Sequence, residues 1–157
     1  MKRFALAAGL IATVTMLVAS TAAETANPRF GRWKIKSDAP PPTSNIMSYE
    51  PLSGGKGMKI TIDAVNKDGV ATKWGYDTMF DGKDMPLYGN PGTDTGSVRI
   101  INDRINEIIY KKGGKVTQVL TNILSPDGDT IGVVYLRMDP EGKVTKNVTF
   151  ATYEKIK

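Results

Sequence analysis

The sequence predicts an all-β fold, an antiparallel up-and-down meander of about ten strands that closes into a barrel. Short runs of strand-like alternation fill the chain almost to its last residue. Each run is broken by a tight turn signal: Asn66-Lys67-Asp68-Gly69, Asp81-Gly82-Lys83-Asp84, Lys112-Gly113-Gly114-Lys115, Asp127-Gly128 and Asp139-Pro140-Glu141-Gly142. Such Asp- and Gly-bearing turns join neighbouring antiparallel strands. A meander of this length must curl or close, because an open sheet leaves edges that template pairing with other chains.

The first expected strand covers 30–36, where Phe30, Arg32, Lys34 and Lys36 alternate with Gly31, Trp33 and Ile35. Ser37-Asp38-Ala39-Pro40-Pro41-Pro42 ends it, since three prolines offer no amide donors and make an extended connector. A strand over 46–52 follows and turns at Gly54-Gly55-Lys56-Gly57. The strand over 58–65 sets Met58, Ile60, Ile62 and Ala64 on one side. The run over 70–80 sets Thr72, Trp74, Tyr76, Thr78 and Phe80 on a single face. A short strand over 85–88 leads to the Asn90-Pro91-Gly92-Thr93-Asp94 loop, and strands over 97–101, 104–111, 115–125, 130–138 and 144–156 complete the set. Ile105, Ile108 and Ile109 carry helical spacing, but β-branched content and the following Lys-Gly-Gly-Lys turn favour a strand. The 115–125 run places Val116, Gln118, Leu120, Asn122 and Leu124 on one face. A mixed face of this kind suits a barrel with a partly polar interior better than a tightly packed sandwich.

Residues 1–23 read as a secretory signal peptide: Lys2 and Arg3, then an apolar stretch, then small residues. Cleavage after Ala23 fits best and cleavage after Ala22 is the alternative. The apolar stretch is shorter than the roughly 20 residues a membrane span prefers, so no stable span is expected after cleavage. Residues 24–29 are expected to form a flexible mature N-terminus, and residues 30–157 a single β-barrel domain. The chain has no Cys, so packing and backbone ladders must hold an exported fold. Leader and composition together point to a bacterial periplasmic or extracellular protein. Two of the 21 basic residues lie in the leader, leaving 19 against 16 acidic ones. They are interspersed with acids rather than gathered in a stripe, so no nucleic-acid partner is expected.

Gly31-Arg32-Trp33-Lys34 opens the first strand and Thr152-Tyr153-Glu154-Lys155 closes the last. This G-x-W start and Y-E-K finish resemble the calycin barrels, the lipocalins and fatty-acid-binding proteins. The stretch with Asp81-Gly82-Lys83-Asp84-Met85-Pro86 and Gly89-Asn90-Pro91 looks like exported bacterial lipocalin-like proteins of unknown role. The resemblance implies a barrel and an apolar or amphipathic ligand. Fatty-acid-binding proteins carry an Arg two residues before the closing Tyr, where Ala151 stands here. They also cap the barrel with two helices, for which residues 37–43 leave no room.

The chain contains no His and no Cys. That removes the usual general base near neutral pH, every thiol nucleophile and the favoured zinc ligands. The carboxylates Asp77, Asp81, Asp84, Asp127 and Asp129 sit largely in turns, where Asp caps its own backbone. No catalysis, cofactor or metal is expected. Trp74, Tyr76, Tyr88, Tyr110 and Tyr135 are the expected ligand-binding residues, offering apolar area with hydroxyl handles. Arg137 shares the alternation of Ile131, Val133 and Tyr135 and is the candidate partner for an anionic group. Trp33 is expected to plug the closed end. The reading is a non-catalytic carrier of a small apolar or amphipathic ligand. Its alternative is an envelope structural or interaction module whose barrel is filled by its own side chains.

Overall fold

The computed structural model describes residues 26–157. The expected signal peptide and both expected cleavage positions lie outside the described residues. Ten strands follow in order: β1 (Gly31–Ile35), β2 (Ser44–Leu52), β3 (Gly57–Val65), β4 (Ala71–Thr78), β5 (Met85–Pro86), β6 (Thr95–Asn102), β7 (Ile105–Lys112), β8 (Lys115–Leu124), β9 (Thr130–Met138) and β10 (Val144–Lys155). One short 3-10 turn, Ser53–Gly55, joins β2 to β3, and the described residues hold no α-helix.

All ten strands belong to one antiparallel sheet in the order β4-β3-β2-β1-β10-β9-β8-β7-β6-β5. This is a meander whose first and last long strands pair, Trp33 opposite Lys155 and Ile35 opposite Tyr153. The two outer edges then meet. Gly75 of β4 and Tyr88 exchange two backbone hydrogen bonds of 3.1 and 3.0 Å. Gly82 donates to the Val98 carbonyl at 3.0 Å beside the Asp81–Arg99 bridge. The result is a nearly closed barrel, which leaves little free edge for unwanted pairing. Glycine permits the join. A Cβ on Gly75 would stand 2.6 Å from the Tyr88 hydroxyl, and Gly89, at φ +77°, lies against the backbone of Lys73 and Trp74.

The turns form as their residues dictate. Asn66 Oδ1 accepts from the amides of Asp68 and Val70, Asp127 Oδ1 from Asp129, and Asp139 Oδ1 from Glu141 and Lys143. The 104–112 segment is a strand, as its branched residues require. Several boundaries differ from the sequence expectation by one or two residues, and two of the differences have a visible local cause. The 70–80 run ends at Thr78, whose hydroxyl accepts the Phe80 amide at 3.0 Å and turns Phe80 through φ 60°. The 85–88 strand shrinks to Met85–Pro86, because Tyr88 leaves it to bond across to β4.

One end of the barrel is packed solid. Trp33 and Ile131 are fully buried there, with Met58, Val98 and Leu124 close to it. The Trp33 indole donates to the Arg29 carbonyl at 2.8 Å, and the Lys155 ammonium lies 5.1 Å over its ring. The expected flexibility of residues 24–29 does not extend to Arg29. It is only 4% exposed, and its guanidinium reaches the Asn122 amide oxygen at 3.4 Å and the Asp103 carbonyl at 3.2 Å. Neutral acceptors at the barrel end draw the chain over it and tie down the residues just before β1.

Candidate functional site

The other half of the barrel is not filled. Between the packed end and the opposite rim lies a cavity of about 470 Å3. Inward-facing residues of eight strands build it, because every second side chain points inward. Its apolar wall comes from Ile60 and Ile62 of β3, Ile108 of β7, Leu120 of β8 and Val133 of β9. Met47 and Tyr49 of β2 form its floor against Asn122 of β8.

Five tyrosines bring phenol hydroxyls to the lining: Tyr49, Tyr76, Tyr110, Tyr135 and Tyr153. They meet in pairs, Tyr76 with Tyr110 at 3.3 Å and Tyr135 with Tyr153 at 3.4 Å between oxygens. The Tyr49 hydroxyl receives the Asn122 amide at 3.4 Å and donates to the Met47 sulfur at 3.3 Å. Trp74 and Tyr76 each stand edge-on to the Tyr110 ring, with centroids 5.8 and 5.7 Å apart. Burial raises the pKa of all five hydroxyls above the ordinary tyrosine value. The interior therefore presents neutral hydroxyls, each able to donate and to accept.

Among the described residues, one residue of the lining is charged. Arg137 stands at the rim, its guanidinium donating to the Thr149 hydroxyl at 2.6 Å and lying 5.4 Å over the Tyr135 ring. Among the described residues the lining holds no Asp or Glu, and no three acidic side chains gather as metal ligands. The carboxylates singled out in the sequence lie elsewhere. Asp84 pairs with Lys111 at 2.7 Å, Asp129 with Lys157 at 3.1 Å, and Asp81 and Asp127 serve turns.

Of the residues expected at a ligand site, the fold brings together Trp74, Tyr76, Tyr110, Tyr135 and Arg137. Tyr88 does not join them. It is 49% exposed, and its ring lies over Gly75 on the outer face of the barrel. The chain is irregular after β5, so the parity that places the other aromatics inward does not govern it. Tyr49 and Tyr153 line the cavity without having been singled out in the sequence, whereas Gln118 and Asn122 belong to the mixed β8 face that the alternation pointed to. The first two carry a usable signal, since Tyr49 alternates with Met47 and Tyr153 with Ala151. A second, outer cleft of about 570 Å3 lies at the packed end, beside Asn27, Arg29, Pro51 and Asn106, and is separate from the barrel interior.

Compared with known proteins, the chain matches no protein-family model, and no curated protein matches it.

Proposed function

We propose that this is an exported, non-catalytic, lipocalin-like protein that binds a small apolar or amphipathic molecule inside its barrel. One observation carries the proposal: a cavity of about 470 Å3 that is apolar on its walls and hydroxyl-lined, with Arg137 at its rim. Ligand pockets commonly have this volume and this mixture of apolar surface with few convergent polar groups. A barrel filled by its own side chains, the rival reading, would leave no such space. Export rests on the leader of residues 1–23, and the lipocalin-like assignment on the G-x-W strand whose Trp33 seals the packed end.

Ala151 lines the cavity where a fatty-acid-binding protein carries its anion-gripping Arg. Polar groups of a ligand here meet tyrosine hydroxyls within and Arg137 at the rim.

The test is a titration of wild-type protein with N-phenyl-1-naphthylamine, a neutral apolar fluorophore. Trp74 lines the cavity and Trp33 is sealed in the packed end. Saturable, one-to-one energy transfer that is weakened in Trp74→Phe is the expected result. Absence of saturable binding contradicts the proposal.

A further inference from the structure

The strand ladder of the barrel is interrupted at one place in its side wall. β1 ends at Ile35, opposite Tyr153, and its ladder with β10 finishes where the Lys36 amide donates to the Thr152 carbonyl. β10 runs on from there to Val144, and among the described residues that part pairs with β9 alone. On the far side of the break, Ser44 and Asn45 pair only with β3. The proline connector after β1 thus ends the first strand early and leaves the wall one strand short.

Two further observations place the cavity at this break. Ile35, Asn45, Thr149 and Ala151, which flank it, all line the cavity. Phe150 has the outward parity of β10, between inward Thr149 and Ala151, and is 75% exposed, yet it too borders the cavity. Phe150 is the outward-facing residue among those lining the cavity, and it lies on the part of β10 that β1 leaves uncovered. Arg137, the one charged lining residue among the described residues, is hydrogen-bonded to Thr149 at the same place.

We propose that this break is an opening through which the ligand enters sideways, past Phe150, and that the end of the ligand left there is anionic. The inference rests on the barrel interior being a ligand site. Phe150 supplies apolar contact for the entering body, and Arg137, with no carboxylate beside it in the cavity, supplies the attraction for the head group. An anionic amphiphile is the ligand class that uses both.

The wild-type chain has no Cys, so single cysteines report access without background. Ala151→Cys sits behind the opening, Ile108→Cys lines the cavity and is buried, and Asp68→Cys lies in an exposed turn. With fluorescein maleimide, Ala151→Cys is expected to react within about tenfold of Asp68→Cys, and Ile108→Cys about a hundredfold more slowly. Thr149→Cys serves as the second variant at the opening and is expected to follow Ala151→Cys. Equal protection of Ala151→Cys, Thr149→Cys and Ile108→Cys overturns the side entrance.

Two probes then test loading and charge: anilinonaphthalene sulfonate, an anionic amphiphile, and neutral N-phenyl-1-naphthylamine. The maleimide adduct at residue 151 is expected to slow association of both by at least about tenfold, and the adduct at residue 68 to leave it unchanged. Arg137→Gln is expected to lose about tenfold more affinity for the sulfonate than for the neutral amine. Binding at unchanged rates in the blocked protein overturns sideways entry alone, and equal losses in Arg137→Gln overturn the anionic head group. If wild-type protein binds neither probe, the ligand-site reading itself falls, whatever the labelling pattern.

Discussion

Raising the pH tests whether the tyrosine hydroxyls sit in a dry interior. Tyr49, Tyr76, Tyr110 and Tyr153 are 6%, 1%, 7% and 3% exposed, and burial is the first cause that raises each pKa. In an unfolded chain a tyrosine ionises near pH 10. A group whose folded pKa is raised lends its full stability below the unfolded value and loses it as the pH climbs. Above about pH 10 the unfolded chain binds fewer protons than the native one, so stability falls by about 1.4 kcal/mol per pH unit for each such group. The four together give about 5 kcal/mol per unit. Against a domain stability of about 5–15 kcal/mol, that slope places cooperative unfolding between about pH 11 and 13. Tyrosinate absorbance and far-ultraviolet circular dichroism, followed together from pH 8 to 13, provide the assay. The expected result is that most of the tyrosinate signal appears only as the β-sheet signal is lost. Full ionisation near pH 10 with the sheet intact would refute the reasoning, because it would mean that the hydroxyls face water.

Three substitutions probe the frame around the cavity. Gly89→Ala forces a side chain onto the Lys73–Trp74 backbone from a positive φ, and is expected to cost about 3 kcal/mol or more in urea unfolding. It should also speed hydrogen exchange at the Gly75 and Tyr88 amides, which hold the closing bridge. Trp33→Phe strips the buried Arg29 carbonyl of its indole donor and opens space at the packed end, an expected loss of about 2–3 kcal/mol by the same measurement. Leu124→Ala, at a side chain 1% exposed, is expected to lose about 3 kcal/mol, again by urea unfolding.

Local chemistry explains which parts of this fold were legible in the sequence. Asn66, Asp127 and Asp139 bond the backbone of their own turns, so their meaning is carried within a few residues. Trp74, Tyr76, Tyr110 and Tyr135 lie in regular strands, where period-two alternation fixes the face. The mixed face of β8 was readable in the same way, and Asn122 does point inward. Tyr88 escaped because β5 is only two residues long, and parity has no purchase on the irregular chain after it. Arg29 escaped because the acceptors that bury it belong to Asn122 and Asp103, far along the chain. The break in the side wall escaped for a similar reason. The proline run announced that β1 stops, but only the register of β1 on β10 shows how much of β10 is left uncovered.

Native mass spectrometry of the protein purified from its own cells without detergent shows whether the barrel carries a ligand. A loaded barrel gives a discrete added mass that disappears on denaturation and, on release, proves to be a small anionic amphiphile. A clean mass for the bare chain across gentle preparations, with no uptake of either naphthalene probe, would contradict a ligand-carrying barrel.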